Sequence, residues 1–114
     1  MSVERTYFDY LADILDAIGK VSRFIEGLTF EEFAQDDKTV FAVVRGLEII
    51  GEATKQIPSS VRDSCPEIPW REMAGMRDKL THGYFGVNLM VVWKTSTEDL
   101  PMVEPAIRRL LSEN

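Results

Sequence analysis

The first part of the chain carries apolar residues at alternating steps of four and three positions. This spacing predicts one amphipathic helix over about residues 3–28, with a narrow apolar face. Gly27 is expected near the end of that helix, where a glycine commonly follows the last turn. The residues of the apolar face are Tyr7, Leu11, Ile14, Ile18, Val21, Ile25 and Leu28.

Thr29 and Glu32 follow at the spacing of a capping box, in which each residue accepts a hydrogen bond from the other's backbone. They predict a short helix that contains Phe30 and Phe33.

A second long helix is predicted over about residues 37–57, from an N-cap in Asp36-Asp37 to the residue before Pro58. Small side chains on one face would let another helix approach closely, either inside the bundle or across a dimer. A stripe of polar residues on another face of this helix is expected to be mainly a hydrated surface. The core face is Val40, Val43, Val44, Leu47, Ile50 and Ile57, the polar stripe is Arg45, Glu48, Glu52 and Lys55, and the small-residue face is Ala42, Gly46, Ile49 and Ala53.

The second half of the chain predicts a proline-rich loop and two further helices. Residues 58–69 hold three prolines and predict a loop with one helical turn. A helix over about 69–82 follows, and another over about 88–112 begins at the N-cap Asn88 and is broken or kinked at Pro101. The inward residues expected on these helices are Trp70, Met73, Met76 and Leu80, then Leu89, Val92, Trp93, Met102, Ile107, Leu110 and Leu111.

No stretch shows the strict alternation of a β-strand. The sequence therefore predicts an all-α fold, an antiparallel bundle of four or five helices. The chain has 114 residues, of which 45% are hydrophobic and 28% charged, and this predicts one globular domain over residues 1–114.

The charge and cysteine content narrow the chemistry. A net charge of −6 counts against a protein that coats DNA, although a local basic pocket stays possible. One cysteine, Cys65, allows no internal disulfide framework, and with a single histidine it leaves no Cys/His zinc site within one chain. Neither a signal peptide nor a membrane span is predicted, so a cytoplasmic protein is expected.

The segment from Arg77 to Tyr84 holds the candidate chemistry. Asp78 and His82 are four residues apart, so on a helix they share a face and Asp78 can orient the imidazole. Asp78 and the helix C-terminus would favour the imidazolium form, which brings its titration near neutral pH. Arg77 and His82 are five residues apart, so on an ideal helix their side chains diverge by roughly 140°.

Arginine and histidine without a metal suit the cleavage of an RNA phosphodiester. The 2′-hydroxyl attacks phosphorus, a base and an acid transfer protons, and arginine offsets the charge on the phosphoryl oxygens. One chain offers a single histidine, whereas a symmetric dimer would place two copies of His82 and Arg77 around one cleft. The structural alternative is that His82 merely caps the helix and Tyr84 is an aromatic residue at the core edge.

Three blocks of the sequence resemble one known family. Arg77, His82 and Tyr84 match the R-x4-H-x-Y motif of HEPN-domain proteins of the HepT-like toxin type. Residues 42–53, AVVRGLEIIGEA, resemble a second signature of that group. Residues 68–70 before the motif, and Trp93 with residues 99–101 after it, fit as well, so the resemblance covers nearly the whole chain.

The resemblance implies a HEPN-like homodimer that acts as a metal-independent endoribonuclease without a cofactor. Arg77 and His82 would be catalytic at the dimer cleft, supported by Asp78. The implied partner is a minimal nucleotidyltransferase antitoxin, which would silence the toxin by transferring AMP to Tyr84. Because the chain is acidic overall, we expect the RNA to need a local basic cleft, formed by Arg71, Arg77, Lys79 and Arg45.

A second hypothesis is a non-catalytic subunit that binds a nucleotide or substrate for a nucleotidyltransferase. The motif would then be a surface for docking and modification. Dependence on His82 separates the two hypotheses, because docking would survive its loss and catalysis would not. The third hypothesis is a structural helical bundle with no activity.

Overall fold

A computed structural model describes residues 5–80 and 87–113, without the side chains of Lys79 and Leu80. All regular elements in these residues are helical, which confirms the predicted all-α class. The α-helices are α1 Tyr7–Ile25, α2 Phe30–Ala34, α3 Asp37–Lys55, α4 Ser59–Ser64, α5 Trp70–Ala74, α6 Met76–Leu80, α7 Leu89–Lys94 and α8 Leu100–Ser112, with a π-helical segment at Thr95–Asp99 between α7 and α8.

Helices α1 and α3 form an antiparallel pair at the centre of the fold. Tyr10 and Gln56 line one end of the groove between them, whereas Phe24 and Ala42 line the other. A Cβ atom on Gly46 would lie 2.7 Å from Val21 Cγ2, so the absence of a side chain permits this close approach. The small-residue face of α3 thus packs, at Gly46, against α1 of the same chain.

The hydrophobic core follows the predicted faces of α1 and α3. Five of the seven residues of the predicted α1 stripe are buried, and the two at its ends are half-buried. Phe33 of α2 is completely buried, and its ring centroid lies 5.2 Å from that of Trp93. The largest fully buried side chains are Phe33, Leu11, Ile14, Leu47, Ile50, Leu100, Ile107, Val21, Val43, Val92 and Thr54.

The predicted helix caps are confirmed. Thr29 Oγ1 accepts from the amide of Glu32 at 3.1 Å, and Glu32 Oε1 accepts from the amide of Thr29 at 2.9 Å. Asn88 Oδ1 accepts from the amide of Val91 at 3.1 Å. Gly27 follows α1 with a φ of 78°, a left-handed conformation that glycine adopts without strain.

Asp36 is the N-cap of α3, and its pKa is lowered. The hydroxyl of Thr39 donates to Asp36 Oδ2 at 2.7 Å, and the amide of Thr39 donates to Oδ1 at 3.1 Å. These hydrogen bonds, the hydroxyl first, stabilise the carboxylate and lower its pKa.

The prediction of one continuous helix over 69–82 is wrong in its middle. The chain turns at Gly75, whose φ of −87° and ψ of 9° end α5 before α6 begins. The Gly75 amide still donates to the carbonyl of Arg71 at 3.0 Å, so the interruption is confined to one residue. Glycine is a poor helix former, which makes it the weak point of this segment. The preceding loop contains the six-residue helix α4, somewhat more than the single turn predicted.

Of the two effects predicted at Pro101, the break is wrong and the kink stays a prediction. The helical run continues through Pro101, but its turns widen just before this residue. There the amide of Leu100 donates to the carbonyl of Thr95, five residues back. Proline lacks an amide hydrogen and crowds the carbonyl four residues earlier, so a wider turn accommodates it.

The expectation that Met102 belongs to the core is wrong, because this side chain is 79% exposed. Met102 is five residues from Ile107, which turns it roughly 140° away from that buried residue. The buried face of α8 is Leu100, Val103, Ile107 and Leu110. Of the helices that the structure describes, none is long and apolar enough to cross a membrane.

Candidate functional site

Helix α6 carries the first part of the candidate motif. Met76 is buried, whereas Arg77 and Asp78 are exposed. His82, Gly83 and Tyr84 lie outside the described residues. The predicted pairing of Asp78 with His82, and the divergence of Arg77 from His82, therefore stay predictions.

Helix α6 is positioned by close packing on α3. A Cβ atom on Gly51 would lie 3.4 Å from the carbonyl oxygen of Met73 and 3.7 Å from Met76 Cβ. Both methionines are nearly inaccessible, at 3% and 5% exposure. The α3 backbone thus supports the turn between α5 and α6, and Met76 anchors the helix whose next residue is Arg77.

The start of α5 is held by hydrogen bonds to the preceding loop. The indole Nε1 of Trp70 donates to the carbonyl oxygens of Arg62, at 3.1 Å, and Cys65, at 3.0 Å. Arg62 in turn donates from Nε to the carbonyl of Ile57 at 2.9 Å, and from a terminal nitrogen to the carbonyl of Thr54 at 3.1 Å. The sequence predicts Trp70 as a buried core residue but does not predict these hydrogen bonds. The need of a buried indole N–H for an acceptor is the signal that could have indicated this role.

A second link joins the same loop to α8. Glu67 Oε1 accepts from Cys65 Sγ at 3.0 Å and lies 2.7 Å from a guanidinium nitrogen of Arg109. Burial, and then the neighbouring Glu67, raise the pKa of the Cys65 thiol. The thiol hydrogen bond, chiefly, lowers the pKa of Glu67. A thiol with a raised pKa is a weak nucleophile at neutral pH, because little of it is present as thiolate.

The basic residues expected at an RNA cleft occupy different parts of the surface. Arg71 on α5 and Arg77 on α6 are exposed on consecutive short helices, and Lys79 belongs to α6. Arg45 lines the groove between α1 and α3. It is six residues before Gly51, so it lies about 120° around α3 from the face that contacts α5 and α6. One chain therefore does not direct Arg45 and Arg77 to the same side of α3.

The polar stripe of α3 is a hydrated surface, as expected. Arg45 Nη1 lies 3.7 Å from Glu48 Oε1, and Lys55 Nζ lies 3.7 Å from Glu52 Oε1. At such exposure these ion pairs contribute little to stability. Within residues 5–80 and 87–113 no three His, Cys, Asp or Glu side chains are grouped so that they could hold a metal ion.

Comparison with known proteins identifies the family. The model of the family described as "Ribonuclease HepT-like" matches residues 14–110. A Thermococcus cleftensis protein named probable ribonuclease HepT is 52% identical over 108 residues, which cover 95% of this chain and 98% of that protein.

Two more distant relatives bear names that describe candidate RNases. One, from Methanocaldococcus jannaschii, is 40% identical over 91% of this chain and 86% of its own length. The other, from Caldanaerobacter subterraneus subsp. tengcongensis, is 41% identical over 91% of this chain and 93% of its own length. The comparison with solved structures gave no significant match. The matched span includes the segment from Arg77 to Tyr84, and the chain belongs to the HepT-like ribonuclease family.

Proposed function

We propose that this protein is a metal-independent endoribonuclease toxin that acts in the cytoplasm as a homodimer. The observation that carries the proposal is the R-x4-H-x-Y motif inside a HepT-like family match, together with the exposure of Arg77 and Asp78 on a firmly packed helix. The names of the relatives support RNA as the substrate.

The reaction is an internal transfer at phosphorus. A base removes the proton of the ribose 2′-hydroxyl, the 2′-oxygen bonds to phosphorus, and the bond to the 5′-oxygen breaks as that oxygen takes a proton. His82 carries the proton transfer, and Arg77 offsets the charge that develops on the phosphoryl oxygens. Asp78 orients His82, while Lys79 and Arg71 attract the RNA backbone.

The homodimer meets the need for two proton-transfer groups, because the sequence contains one histidine. A two-fold axis would bring His82 and Arg77 of both copies to one cleft. Arg45 would join that cleft only from the second copy, since within one chain it lies on a different side of α3 from the face that contacts α6. Analytical ultracentrifugation tests the dimer independently of any RNA cleavage.

The proposed partner is a minimal nucleotidyltransferase antitoxin. It would transfer AMP from ATP to Tyr84, with a bond from the phenolic oxygen to the α-phosphorus and release of pyrophosphate. The added group is anionic and bulky, and it lies two residues from His82, so it would occupy space and charge meant for RNA phosphate. Intact mass after incubation with the antitoxin and ATP tests this step, and Tyr84→Phe should abolish the mass gain.

The cleavage experiment uses purified protein, unmodified as checked by mass, in excess EDTA with a structured RNA. We expect Arg77→Ala and His82→Ala to slow cleavage by about 10²–10⁴-fold. Arg108→Ala is the matched control, because Arg108 is an exposed arginine on α8 that pairs only loosely with Glu104, at 3.3 Å. Cleavage by His82→Ala at the parent rate would refute the catalytic assignment.

The second candidate is a non-catalytic partner subunit of a nucleotidyltransferase. The net charge of −6 favours it, because an acidic chain attracts RNA poorly. This candidate predicts no cleavage by any verified unmodified dimer, and nucleotidyltransferase binding that persists in His82→Ala.

A further inference from the structure

The surface of the α1–α3 pair carries two adjoining hollows with volumes of about 500 and 360 Å³. Asp13, Arg45 and Ile49 line both hollows, so the two form one groove and meet at these residues. Each helix has 19 residues and is therefore about 28 Å long. A groove along two such helices suits packing against a helix of another chain.

Three residues of α3 form a row along this groove, Arg45, Ile49 and Glu52. Arg45 and Glu52 are seven residues apart, so they lie two turns and about 10 Å apart on one side of the helix. Ile49 is half-buried and lies between them. The Arg45–Ile49–Glu52 row is therefore positive at one end, apolar in the middle and negative at the other end.

The two charged ends of this row make only loose contacts within their own chain. Arg45 Nη1 lies 3.7 Å from Glu48 Oε1, which is longer than a charge-assisted hydrogen bond. Glu52 Oε1 lies equally far, 3.7 Å, from Lys55 Nζ. The side chains of Arg45 and Glu52 are 69% and 56% exposed. Because exposed pairs of this kind contribute little to stability, both side chains can turn to a closer partner.

The acidic residues in the α1 wall of the groove are paired with basic ones. Arg5 Nη2 lies 2.8 Å from Asp13 Oδ2, and Lys20 Nζ lies 2.9 Å from Asp16 Oδ2. The described charges of this face therefore nearly balance, although the whole chain carries a net charge of −6. Two acidic copies would repel each other less at such a face than at an acidic one.

We propose that this groove is the interface between two copies of the chain, related by a two-fold axis near Ile49. A half-turn about that axis makes the two α3 helices antiparallel and places Arg45 of each copy opposite Glu52 of the other. The attractive contact occurs twice, whereas parallel helices would place each charge opposite its own copy. The Arg45–Ile49–Glu52 row is thus complementary to itself, which favours a second copy over an unrelated protein as the occupant.

This interface would add a residue of the second copy to the candidate site. Glu52 directly follows Gly51, the residue on which Met73 and Met76 pack. Arg45 of the second copy would therefore lie at the level of α3 on which α6 packs, about 10 Å further along the helix than Arg45 of the same chain. The inference rests on the homodimer of the proposed function and adds the surface that forms it.

The test reverses each charge and measures the mass of the full chain by sedimentation equilibrium, without RNA. Arg45→Glu and Glu52→Arg each create two like-charge contacts, so we expect each to raise the dissociation constant of the dimer about a hundredfold. An equimolar mixture of the two variants should restore the dimer, because each reversed charge then faces an opposite one. Arg108→Glu on α8 and Glu31→Arg on α2 make the same changes at exposed residues elsewhere and should dimerise like the parent.

A dimer that returns only in the mixture would support the interface, since loss of folding in either variant does not produce this result. Circular dichroism checks that each variant is folded, so a mixture of folded variants that stays monomeric would overturn the pairing of Arg45 with Glu52. Dimers of Arg45→Glu and Glu52→Arg as stable as the parent would overturn this interface and leave the homodimer standing. A monomeric parent would overturn both, and the separate cleavage assay would then show whether the chain has RNase activity.

Discussion

The α1–α3 pair and the segment from α4 to α6 are both helical, but they are stabilised in different ways. Helices α1 and α3 have 19 residues each, and each buries a continuous apolar face. Helices α4, α5 and α6 have six, five and five residues, and α4 has no buried residue. Isolated helices that short are unstable in water, so their positions depend on contacts with the rest of the fold.

The candidate site takes its position from a few contacts with distant parts of the fold. Periodic apolar residues are sufficient to define α1 and α3, whereas a few individual groups fix the positions of the short helices α4 to α6. These groups are Gly51, which lets the α5–α6 turn approach, Trp70, which ties α5 to the preceding loop, and Glu67, which ties that loop to α8. We therefore expect single substitutions at these groups to displace the helices that carry the candidate site.

Leu47→Ala should have the largest effect on stability, because Leu47 is completely buried in the α1–α3 pair. We expect the free energy of unfolding to fall by roughly 2–5 kcal/mol. Urea denaturation followed by circular dichroism measures it. Phe41→Ala, on the same helix with 79% of the side chain exposed, should change it by less than about 0.5 kcal/mol. Equal losses would mean that the long pair is not the main source of stability.

Gly46→Ala should destabilise the protein by about 1–3 kcal/mol, because its Cβ would lie 2.7 Å from Val21 Cγ2. Gly19→Ala is the matched control in α1. A Cβ there would meet only the flexible end of Arg23, at 3.7 Å, so this substitution should stabilise by roughly 0.5–1 kcal/mol. Thermal unfolding of both variants checks the opposite signs. Stabilisation by Gly46→Ala would contradict the close packing of α1 on α3.

Trp70→Phe should cost about 1–2 kcal/mol, because the carbonyls of Arg62 and Cys65 lose the indole donor. We expect the loss to be local. Hydrogen exchange should accelerate in residues 62–80 and change little in α1 and α3. Uniform acceleration throughout the chain would show that the short segment is not an independently weak region.

The smallest effect concerns Cys65. Since its pKa is raised in the folded state, thiol burial stabilises the protein below the ordinary thiol pKa, and this contribution is lost as pH rises through the raised value. Alkylation by iodoacetamide should be slow at neutral pH. Glu67→Gln removes the negative charge beside the thiol, one of the causes that raise its pKa, and should speed alkylation, whereas Glu31→Gln should not. Fast alkylation of the parent would contradict the buried, hydrogen-bonded thiol.

Much of the scaffold was predictable from sequence. The alternating four- and three-residue steps in α1, the capping box at Thr29 and the Asn88 cap are local patterns whose physics does not depend on distant residues. Met102 and the break at Gly75 were not predicted. Packing against other helices decides which face of α8 is buried and where the chain turns before α6. The pattern of a single sequence does not record these contacts.

The candidate site, like the scaffold, was predictable from the sequence only in part. The motif indicates Arg77 as a candidate from spacing and residue type alone, and the structure places this residue at the surface. The supports of the site, Trp70 and the Cys65–Glu67–Arg109 link, depend on residues up to 42 positions apart and become visible only in the fold. The role of His82 stays a prediction.

The most direct test of the account is the chemistry of the RNA ends. The parent, freed of metal with EDTA, should leave 2′,3′-cyclic phosphate and 5′-hydroxyl ends, and these products should vanish with His82→Ala and Arg77→Ala. Ends with 3′-hydroxyl and 5′-phosphate groups, or identical products from His82→Ala, would contradict cleavage by this motif.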